Sequence, residues 1–232
     1  EEEFRRRYTS TVNTLVERLA AEPLVARLTF AEQLPRMPSP VRRIELEGAS
    51  ESEGSTRHSV QMSAVEPGFF EAFQMPLLAG RGLDSRDLGA NANTIVVNST
   101  FVEKNLQGRS AVGRRIRVAA PSEPATAGKI VEPGPWLEIV GVVRDLVPQQ
   151  PAPLNLDNPT RPRVYQPPGR AGGSPSLYLA VQARAGLESL IPVVRRIAAE
   201  VDPGLRLHEL QSLGQATSED ARFWTVFAKV VL

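Results

Sequence analysis

The chain has 232 residues, enough for one large domain or two small ones with a buried core. Lys and Arg total 27 and Asp and Glu total 26, so the net charge of +1 gives no sign of the basic surface that nucleic-acid binding requires. Cysteine is absent, which excludes disulfides, thiol catalysis and cysteine-based zinc sites.

The first predicted element is a helix that ends at Pro23. Its apolar residues fall at the spacing of one helix face, at Val12, Leu15, Val16 and Leu19. Glu–Arg pairs four residues apart precede this face within residues 1–7, in the order that stabilises a helix. We interpret this charged stretch as a solvated helical face, and a helix continuing from a membrane segment is the alternative.

Three short strands are predicted next, at residues 24–30, 41–47 and 60–64. Prolines fix an extended connection between the first two strands, and residues 47–57 are typical of a flexible hairpin-like loop. In the third strand apolar residues alternate with Gln61, which predicts a strand that is buried on one face.

A short helix with an aromatic face is predicted to begin at Pro67, whose missing amide is no loss in a first turn. Phe69, Phe70 and Phe73 are spaced to gather on one side of it. Together with Met75, these rings have two interpretations. We favour a buried core, because the chain has few other aromatic residues. The alternative is an exposed pocket or a groove for a partner.

A second short helix is predicted after the apolar segment that precedes Asn98. Asn98 or Ser99 can cap this helix, which runs through Asn105. Strands are then predicted at residues 115–118 and 137–143, and the second of them is mostly buried.

Two proline-rich stretches, 121–135 and 148–175, cannot form regular helices, and we interpret both as loops or linkers. Beyond them, residues 177–182 alternate as a strand. The helix that follows has its apolar face at Leu187, Leu190, Ile191, Val194, Ile197, Ala198 and Val201. Residues 202–204 stop this helix, and a last strand starts at Leu205, which predicts a strand–helix–strand unit.

No motif with a chemical function matches completely. Residues 108–115 have the glycine spacing of a phosphate-binding loop, but Arg114 and Arg115 stand where Lys and Ser or Thr are needed. We interpret this segment as a glycine turn between a helix and a strand. His58 and His208 are far apart and belong to no metal-binding pattern, and a hydrolase that uses either is the weakest alternative.

Two further patterns complete the candidates. Asp84 and Asp87 lie in a turn-like stretch, and we interpret them as residues of a solvated loop bonded to local backbone, rather than as a glycosidase pair. Asn98, Ser99 and Thr100 match a glycosylation acceptor, a common pattern that only eukaryotic secretion uses. We therefore predict no catalytic, cofactor-binding or metal-binding residue and no cofactor.

Ordered blocks of sequence carry a family resemblance. They lie at residues 66–73, 75–81, 95–98, 112–116 and 137–145, and weaker ones follow at 164–167, 179–182, 197–203 and 221–228. In this order the chain resembles the MacB-like periplasmic core domain. In MacB/FtsX-type ABC transporter permeases, this domain is the extracytoplasmic insert between the first two transmembrane helices.

The resemblance implies an α+β fold of two lobes. One lobe, similar to the porter subdomain of multidrug efflux pumps, is formed by both chain ends, and a mixed α/β lobe is inserted between them. The expected limits are 1–46 and 148–218 for the porter-like lobe and 47–147 for the inserted lobe. Residues 219–232 are expected to approach the second transmembrane helix.

The resemblance also implies a mechanical function without catalysis. An ATP-binding subunit or domain would move the transmembrane helices of a bacterial cytoplasmic membrane protein. This domain, on the periplasmic side, would pass the motion to a cargo or partner, for export, efflux or lipoprotein release. Possible partners are a second permease copy and a periplasmic adaptor, but not nucleic acid. The alternative is a stand-alone extracytoplasmic ligand-binding or adaptor module.

The sequence also predicts where its membrane attachment lies. It has no run of about eighteen apolar residues, and we expect no membrane-spanning helix within it. It shows no signal peptide and begins with Glu rather than Met, so we interpret it as a fragment whose membrane helices flank these residues.

Overall fold

The computed structural model of the chain describes residues 2–34, 39–48, 58–88, 93–120, 132–146, 161–168, 177–184, 187–212 and 225–231. The helices are α1 (Glu2–Ala20), α2 (Phe69–Ala72), α3 (Ser99–Leu106) and α4 (Leu187–Val201), and a 3-10 turn covers Ser85–Leu88. The strands are β1 (Val25–Ala31), β2 (Val41–Leu46), β3 (His58–Ala64), β4 (Leu77–Gly80), β5 (Thr94–Asn98), β6 (Arg115–Val118), β7 (Leu137–Val143), β8 (Arg163–Gln166), β9 (Leu177–Ala183), β10 (Arg206–Ser212) and β11 (Thr225–Val231).

The chain divides into two compact units. The first combines Glu1–Leu34 with Gly172–Leu232, and the second is the intervening Pro35–Ala171. These limits differ from the expected boundaries at 46/47 and 147/148. The second unit extends further at both ends because β2 and β8 are strands of its sheet and hydrogen-bond to its other strands.

The first unit is built on a four-stranded antiparallel sheet with the order β1-β9-β11-β10. The helix α4 connects β9 to β10, and β11 lies between these two strands. The predicted strand–helix–strand unit is therefore confirmed, with a strand from the end of the chain inserted into it.

Both helices of the first unit contribute aliphatic side chains to one core. The face predicted for α1 is confirmed, since Val12, Leu15 and Leu19 are buried. They share a cluster with residues of β1, β9 and α4, including Leu190 and Val194. Burying one such side chain contributes about 1.5–3 kcal/mol, so this cluster is the main term that holds the helices on the sheet.

The second unit is built on a seven-stranded sheet whose hydrogen bonding closes on itself. Its order is β4-β7-β5-β8-β3-β2-β6, and β6 also pairs with β7. β6 binds the start of β7, where Arg115 is opposite Glu138, and β4 binds its end, where Gly80 is opposite Gly141. Closure of a sheet satisfies backbone groups that a free edge would expose.

The middle of this sheet is buried on both faces. On one face Ile95 and Val164 join Phe101 of α3 in the apolar core. On the other face the ring of Tyr165 lies 5.9 Å from the ring of Phe69 in α2, measured between centroids. Successive strand residues point to opposite faces, so β8 contributes to both layers.

The structure differs from the prediction of a half-buried β3. Gln61 and Ser63 are buried, as are the apolar residues that alternate with them. β3 lies between β8 and β2, and Ser63 is opposite Tyr165 of the aromatic layer. The polar residues of β3 therefore face a second packed layer instead of solvent.

The interpretation of residues 148–175 as a loop is wrong for β8, a strand between β5 and β3. Pro162 and Pro167 flank it, at positions where a missing amide breaks no ladder bond. The Pro162 carbonyl still takes part in the sheet, because it accepts a hydrogen bond from the Gln61 amide at 2.9 Å. Strand pairing therefore overrides the proline-rich composition here.

Part of the segment that is expected to approach a membrane helix, residues 219–232, is a strand. Thr225–Val231 form β11, which pairs on both sides. A short apolar run that is rich in β-branched residues suits a strand as well as the start of a helix.

Among the described residues, no helix has both the length and the apolar character needed to cross a membrane.

Candidate functional site

Asn98 joins the end of β5 to the start of α3. Its backbone is extended, and its side-chain Oδ1 accepts a hydrogen bond from the Phe101 amide at 3.0 Å. Of the two predicted caps, Asn98 and Ser99, Asn98 is therefore the N-cap of the helix. Since the helix follows the strand without a loop, the capping side chain is held inside the fold, where Asn98 is 1% exposed.

The same side chain binds two further segments. Its Oδ1 also accepts from the Arg163 amide at 2.8 Å, and its Nδ2 donates to the Arg161 carbonyl at 3.0 Å. Its Nδ2 donates to the carboxylate of Asp145 as well. Asp145 follows β7, and Arg161 and Arg163 lie at the entry to β8. Asn98 therefore ties the exit of the chain from β7 to its return into β8.

Asp145 completes this arrangement from the other side. Its Oδ2 accepts from the Ser99 hydroxyl at 2.5 Å, the Thr100 hydroxyl at 2.8 Å and the Thr100 amide at 3.1 Å. A carboxylate at the first turn of a helix satisfies free N–H groups and is favoured by the helix dipole. We call Asn98, Ser99, Thr100 and Asp145 the Asn98 junction.

The Asn98 junction follows from the topology of the sheet. β5 and β7 are parallel neighbours, so their carboxyl ends bring Asn98 and Asp145 to the same edge. The glycosylation pattern at Asn98 is therefore not an accessible acceptor in the folded chain, because its amide is buried and hydrogen-bonded.

A second group of polar residues, which we call the Arg81 cluster, contains Arg81, Asp84, Arg86, Asp87 and Thr94. Arg81 donates to both carboxylate oxygens of Asp87, at 2.6 and 3.0 Å. Asp87 also accepts from the Thr94 hydroxyl at 2.7 Å and the Asp84 amide at 2.9 Å. The predicted local bonds are confirmed, but Asp87 is 2% exposed and not part of a solvated loop.

Replacement of Asp87 by Asn is expected to lower the free energy of unfolding by about 2–3 kcal/mol at pH 7, since it weakens hydrogen bonds to a charged group. The hydrogen bonds from Arg81 are the main cause that holds the pKa of Asp87 far below its ordinary value of 3.8. A depressed pKa in the folded state stabilises the fold above the unfolded-state pKa, and this contribution is lost as the pH falls through the folded-state pKa. Urea unfolding at pH 7 and at pH 3 measures both effects.

The difference between D87N and the wild type should therefore shrink at the lower pH. Arg86→Gln is the matched control, because the Arg86 side chain is 75% exposed where it pairs with Asp84. A D87N deficit that stays constant between the two pH values would show that the charge of Asp87 does not contribute.

The aromatic residues of α2 form core. Phe69 and Phe70 are buried and meet edge to face with ring centroids 5.7 Å apart, and Phe73 packs on Phe69 at 4.7 Å. Tyr165 contacts Phe70 at 5.2 Å, and Met75 is buried as well. The core interpretation is therefore confirmed, and the interpretation of these rings as an exposed partner groove is wrong.

The two histidines from the sequence lie in different units. His58 lies in β3 of the second unit and His208 in β10 of the first. Within the part of the chain that the structure describes, no three His, Asp or Glu side chains are grouped to hold a metal ion. Gly108 and Gly113 have φ values of 77° and 84° and form the predicted glycine turn between α3 and β6.

A third group of polar residues joins the two helices of the first unit. Arg18 donates to Glu200 at 2.5 Å, and Arg196 donates to Glu200 at 3.1 Å and to Glu22 at 2.9 Å. We call these four residues the α1–α4 charge network. Arg18 lies in the last turn of α1 and Glu22 in the turn that follows, so the network holds the point where the chain leaves α1 for β1.

These groups are not recognisable as units from local sequence patterns. The capping position of Asn98 is predictable from its neighbours, but its hydrogen bond to Asp145 is not, because Asp145 is 47 residues away. A usable signal was present, since a polar residue ends each of two apolar strands that the topology makes parallel neighbours. The α1–α4 charge network carries a weaker signal, because exposed Arg and Glu at a four-residue spacing are common on helices.

The fold and its polar clusters define an α+β domain of two units, in which charged and amide side chains fix turns and chain crossings. The chain belongs to the family of MacB-like periplasmic core domains, which matches residues 5–213. It is thus a MacB-like periplasmic domain of the kind found in ABC-type transporter permeases. The expected family and the α+β fold class are confirmed.

A similar fold is found in the solved periplasmic region of MacB. The periplasmic region of MacB from Actinobacillus actinomycetemcomitans is 12% identical with a TM-score of 0.51, over 81% of this chain and 72% of that chain. The extracellular domain of the noncanonic ABC-type transporter YknZ from Gram-positive bacteria is 12% identical with a TM-score of 0.48, over 81% of this chain and 79% of that chain. At such low identity the likeness to MacB concerns the fold. None of the curated proteins matches the chain in sequence.

Proposed function

We propose that this domain relays ATP-driven motion of a transporter permease to a cargo or partner outside the cytoplasm. The observation that carries the proposal is that both chain ends belong to the same unit, Glu1–Leu34 with Gly172–Leu232. α1 lies at the beginning of the chain and β11 near its end. A displacement applied at either end therefore acts on one compact body.

The packing of the first unit supports this use. α1 and α4 share their apolar core with β1 and β9, and β11 is hydrogen-bonded on both sides. Close-packed helices and sheets resist deformation and move as bodies about short hinges. A unit of this kind transmits displacement with little loss to internal rearrangement.

The proposal implies a setting and partners. Helices that flank these 232 residues attach the domain to a bacterial cytoplasmic membrane, with the domain on the periplasmic side. An ATP-binding subunit or domain acts through the transmembrane region, and a second permease copy, an adaptor or a cargo receives the motion. Export, efflux and lipoprotein release are processes that such a relay serves.

The test uses the complete gene product reconstituted in lipid vesicles with its ATP-binding partner. These 232 residues have no Cys. Any Cys elsewhere in the gene product is replaced, and spin labels are attached at single engineered cysteines, at exposed Asn13 in the first unit and exposed Glu103 in the second. We expect the distance distribution between the labels to differ between the nucleotide-free and the vanadate-trapped states. Identical distributions during active ATP hydrolysis, or a gene product without apolar spans on both sides of the chain, would contradict the proposal.

A relay needs no bond-making residues, and we propose that the domain has none. The purified chain should show no nucleotide-dependent or metal-dependent turnover in hydrolase assays. Turnover that is abolished by His58→Ala or His208→Ala, with the fold retained by circular dichroism, would overturn this part of the proposal and favour the hydrolase alternative.

A further inference from the structure

Opposite charges alternate along α4 and along the segment that comprises the last turn of α1 and the turn that follows it. Arg18 pairs with Glu200, and Glu22 pairs with Arg196. In each segment the two charged residues are four positions apart and have opposite signs. Arg18 is opposite Glu200 and Glu22 is opposite Arg196, so the two segments run antiparallel at this contact.

This alternation penalises a slip by one helical turn in either direction. A slip that brings Arg18 opposite Arg196 places two cations together, and a slip in the other direction places Glu22 opposite Glu200. Either movement also breaks both pairs that cross between the segments. The same logic of repulsion against wrong alignments sets the register of paired helices in coiled coils.

The apolar residues of the two helices recur at helical spacing. Leu15 and Leu19 lie four residues apart on α1, and Leu190, Val194 and Ile197 lie three or four residues apart on α4, in the same apolar cluster. Recurring aliphatic residues offer similar apolar contacts after a shift of one turn, so the charges are the stronger determinant of register. One-turn shifts of packed helices, about 5.4 Å, are an established kind of conformational change in proteins.

We infer that the α1–α4 charge network sets the register of α1 on α4, with Glu200 as its central positioning residue. The register itself does not depend on the proposed function, but its use in the transporter rests on that function. If α1 could slip on α4, part of an applied displacement would be lost in the slip, whereas a fixed register transmits the displacement. Glu200 is central because it accepts from both Arg18 and Arg196.

The electrostatics favour a locking role over a large contribution to stability. The four side chains are between 23% and 52% exposed, and exposed pairs contribute little when isolated. A slip, however, replaces attractive pairs by a repulsive one. The free-energy difference between the two registers is therefore larger than the contribution of any one pair. The hydrogen bond from Arg18, followed by that from Arg196, lowers the pKa of Glu200.

The experiment measures register directly in the 232-residue chain. Spin labels at engineered cysteines replace Asn13 on α1 and Arg195 on α4, which are both exposed. In the wild-type background a single narrow distance is expected. The double variant Arg18→Glu/Glu22→Arg places like charges together in the native register and opposite charges together after a slip. We expect its distance to change by up to about 5 Å, or its distribution to broaden.

A matched variant separates register from charge content. Adding Arg196→Glu and Glu200→Arg to that double variant restores opposite charges in the native register, so the wild-type distance should return. Exchange of the exposed pair Glu47 and Arg115, which lies on other elements, should leave the distance unchanged. If the double variant fails to fold, Glu200→Gln replaces it, with a broadened distribution expected at low salt.

Two results would overturn the inference. One is a distance distribution identical to that of the wild type, in mean and in width, in the double variant or in Glu200→Gln where that is used. The other is a distance between the labels in the fourfold variant that differs from the wild type as much as in the double variant. The measurement needs neither membrane nor ATP, so its failure is distinct from failure of the relay, which appears as the absence of a nucleotide-dependent change in the reconstituted permease.

Discussion

Replacement of Gly141 by Ala is expected to lower the free energy of unfolding by about 3–5 kcal/mol, at the upper end of single substitutions. A Cβ at this position would lie 2.0 Å from the carbonyl oxygen of Arg81 and 2.9 Å from its carbonyl carbon. The obstacle is backbone, so no change of rotamer relieves it. The strand must instead move away from its neighbour, although the Arg81 amide donates to the Val140 carbonyl at 2.9 Å.

Gly80, on the facing strand, should be equally intolerant. Its Cβ would lie 2.1 Å from the Val140 carbonyl oxygen, and its φ of +70° is unfavourable for L side chains. Thermal unfolding followed by circular dichroism measures both variants, and we expect the midpoint to fall by about 10 °C or more. The two glycines therefore set how closely β4 can approach β7.

Gly82→Ala is the matched control. Its Cβ would meet only a Phe70 ring carbon, at 3.8 Å, which is ordinary contact. We expect its midpoint to stay close to that of the wild type. If Gly141→Ala and Gly82→Ala unfold at the same temperature, the close approach of β4 to β7 does not require glycine at position 141.

Replacement of Asn98 by Ala is expected to lower the free energy of unfolding by about 2–4 kcal/mol. Loss of an N-cap costs about 0.5–2 kcal/mol, and leaving a buried donor or acceptor unpaired costs about 1–3 kcal/mol. The variant removes the acceptor of the Phe101 and Arg163 amides and a donor to Asp145. Urea unfolding at pH 7 measures the loss.

The amide of Asn98 can be tested separately from its oxygen. Asn98→Asp keeps an acceptor for the Phe101 and Arg163 amides, but places a second carboxylate against Asp145. Two carboxylates that share a site raise the pKa of one of them. We therefore expect Asn98→Asp to be destabilised at pH 7 and to recover part of its deficit near pH 4, whereas Asn98→Ala should recover none.

Asn105→Ala controls for residue type and helix. Asn105 is buried on α3, but its Nδ2 has no hydrogen-bond partner among the described residues. Its removal should therefore cost less than that of Asn98. Equal losses from the two substitutions would mean that the Asn98 junction contributes no more than a buried amide whose Nδ2 has no hydrogen-bond partner.

The sequence predicts elements best where a strong period ends at a clear stop. The faces of α1 and α4 are predicted correctly, because apolar residues recur at helical spacing and a proline or a Pro-Gly turn follows. β8 is missed because it has four residues flanked by prolines, and its burial comes from pairing with β3 and β5. The prediction of one exposed face for β3 is wrong for a related reason. The second face of β3 is covered by residues of other segments, and the alternation of apolar and polar residues in β3 does not reveal this.

By itself the sequence determined the family, the α+β class and the position of most helices and strands, because periodicity, capping and turn residues are local properties of the chain. The tertiary structure alone decided the closure of the second sheet through β6 and β7, the convergence on Asn98, the close approach at Gly141 and the opposed charges of α1 and α4. Each of these depends on segments that are distant in sequence and meet only when the sheets form, so no local pattern specifies them.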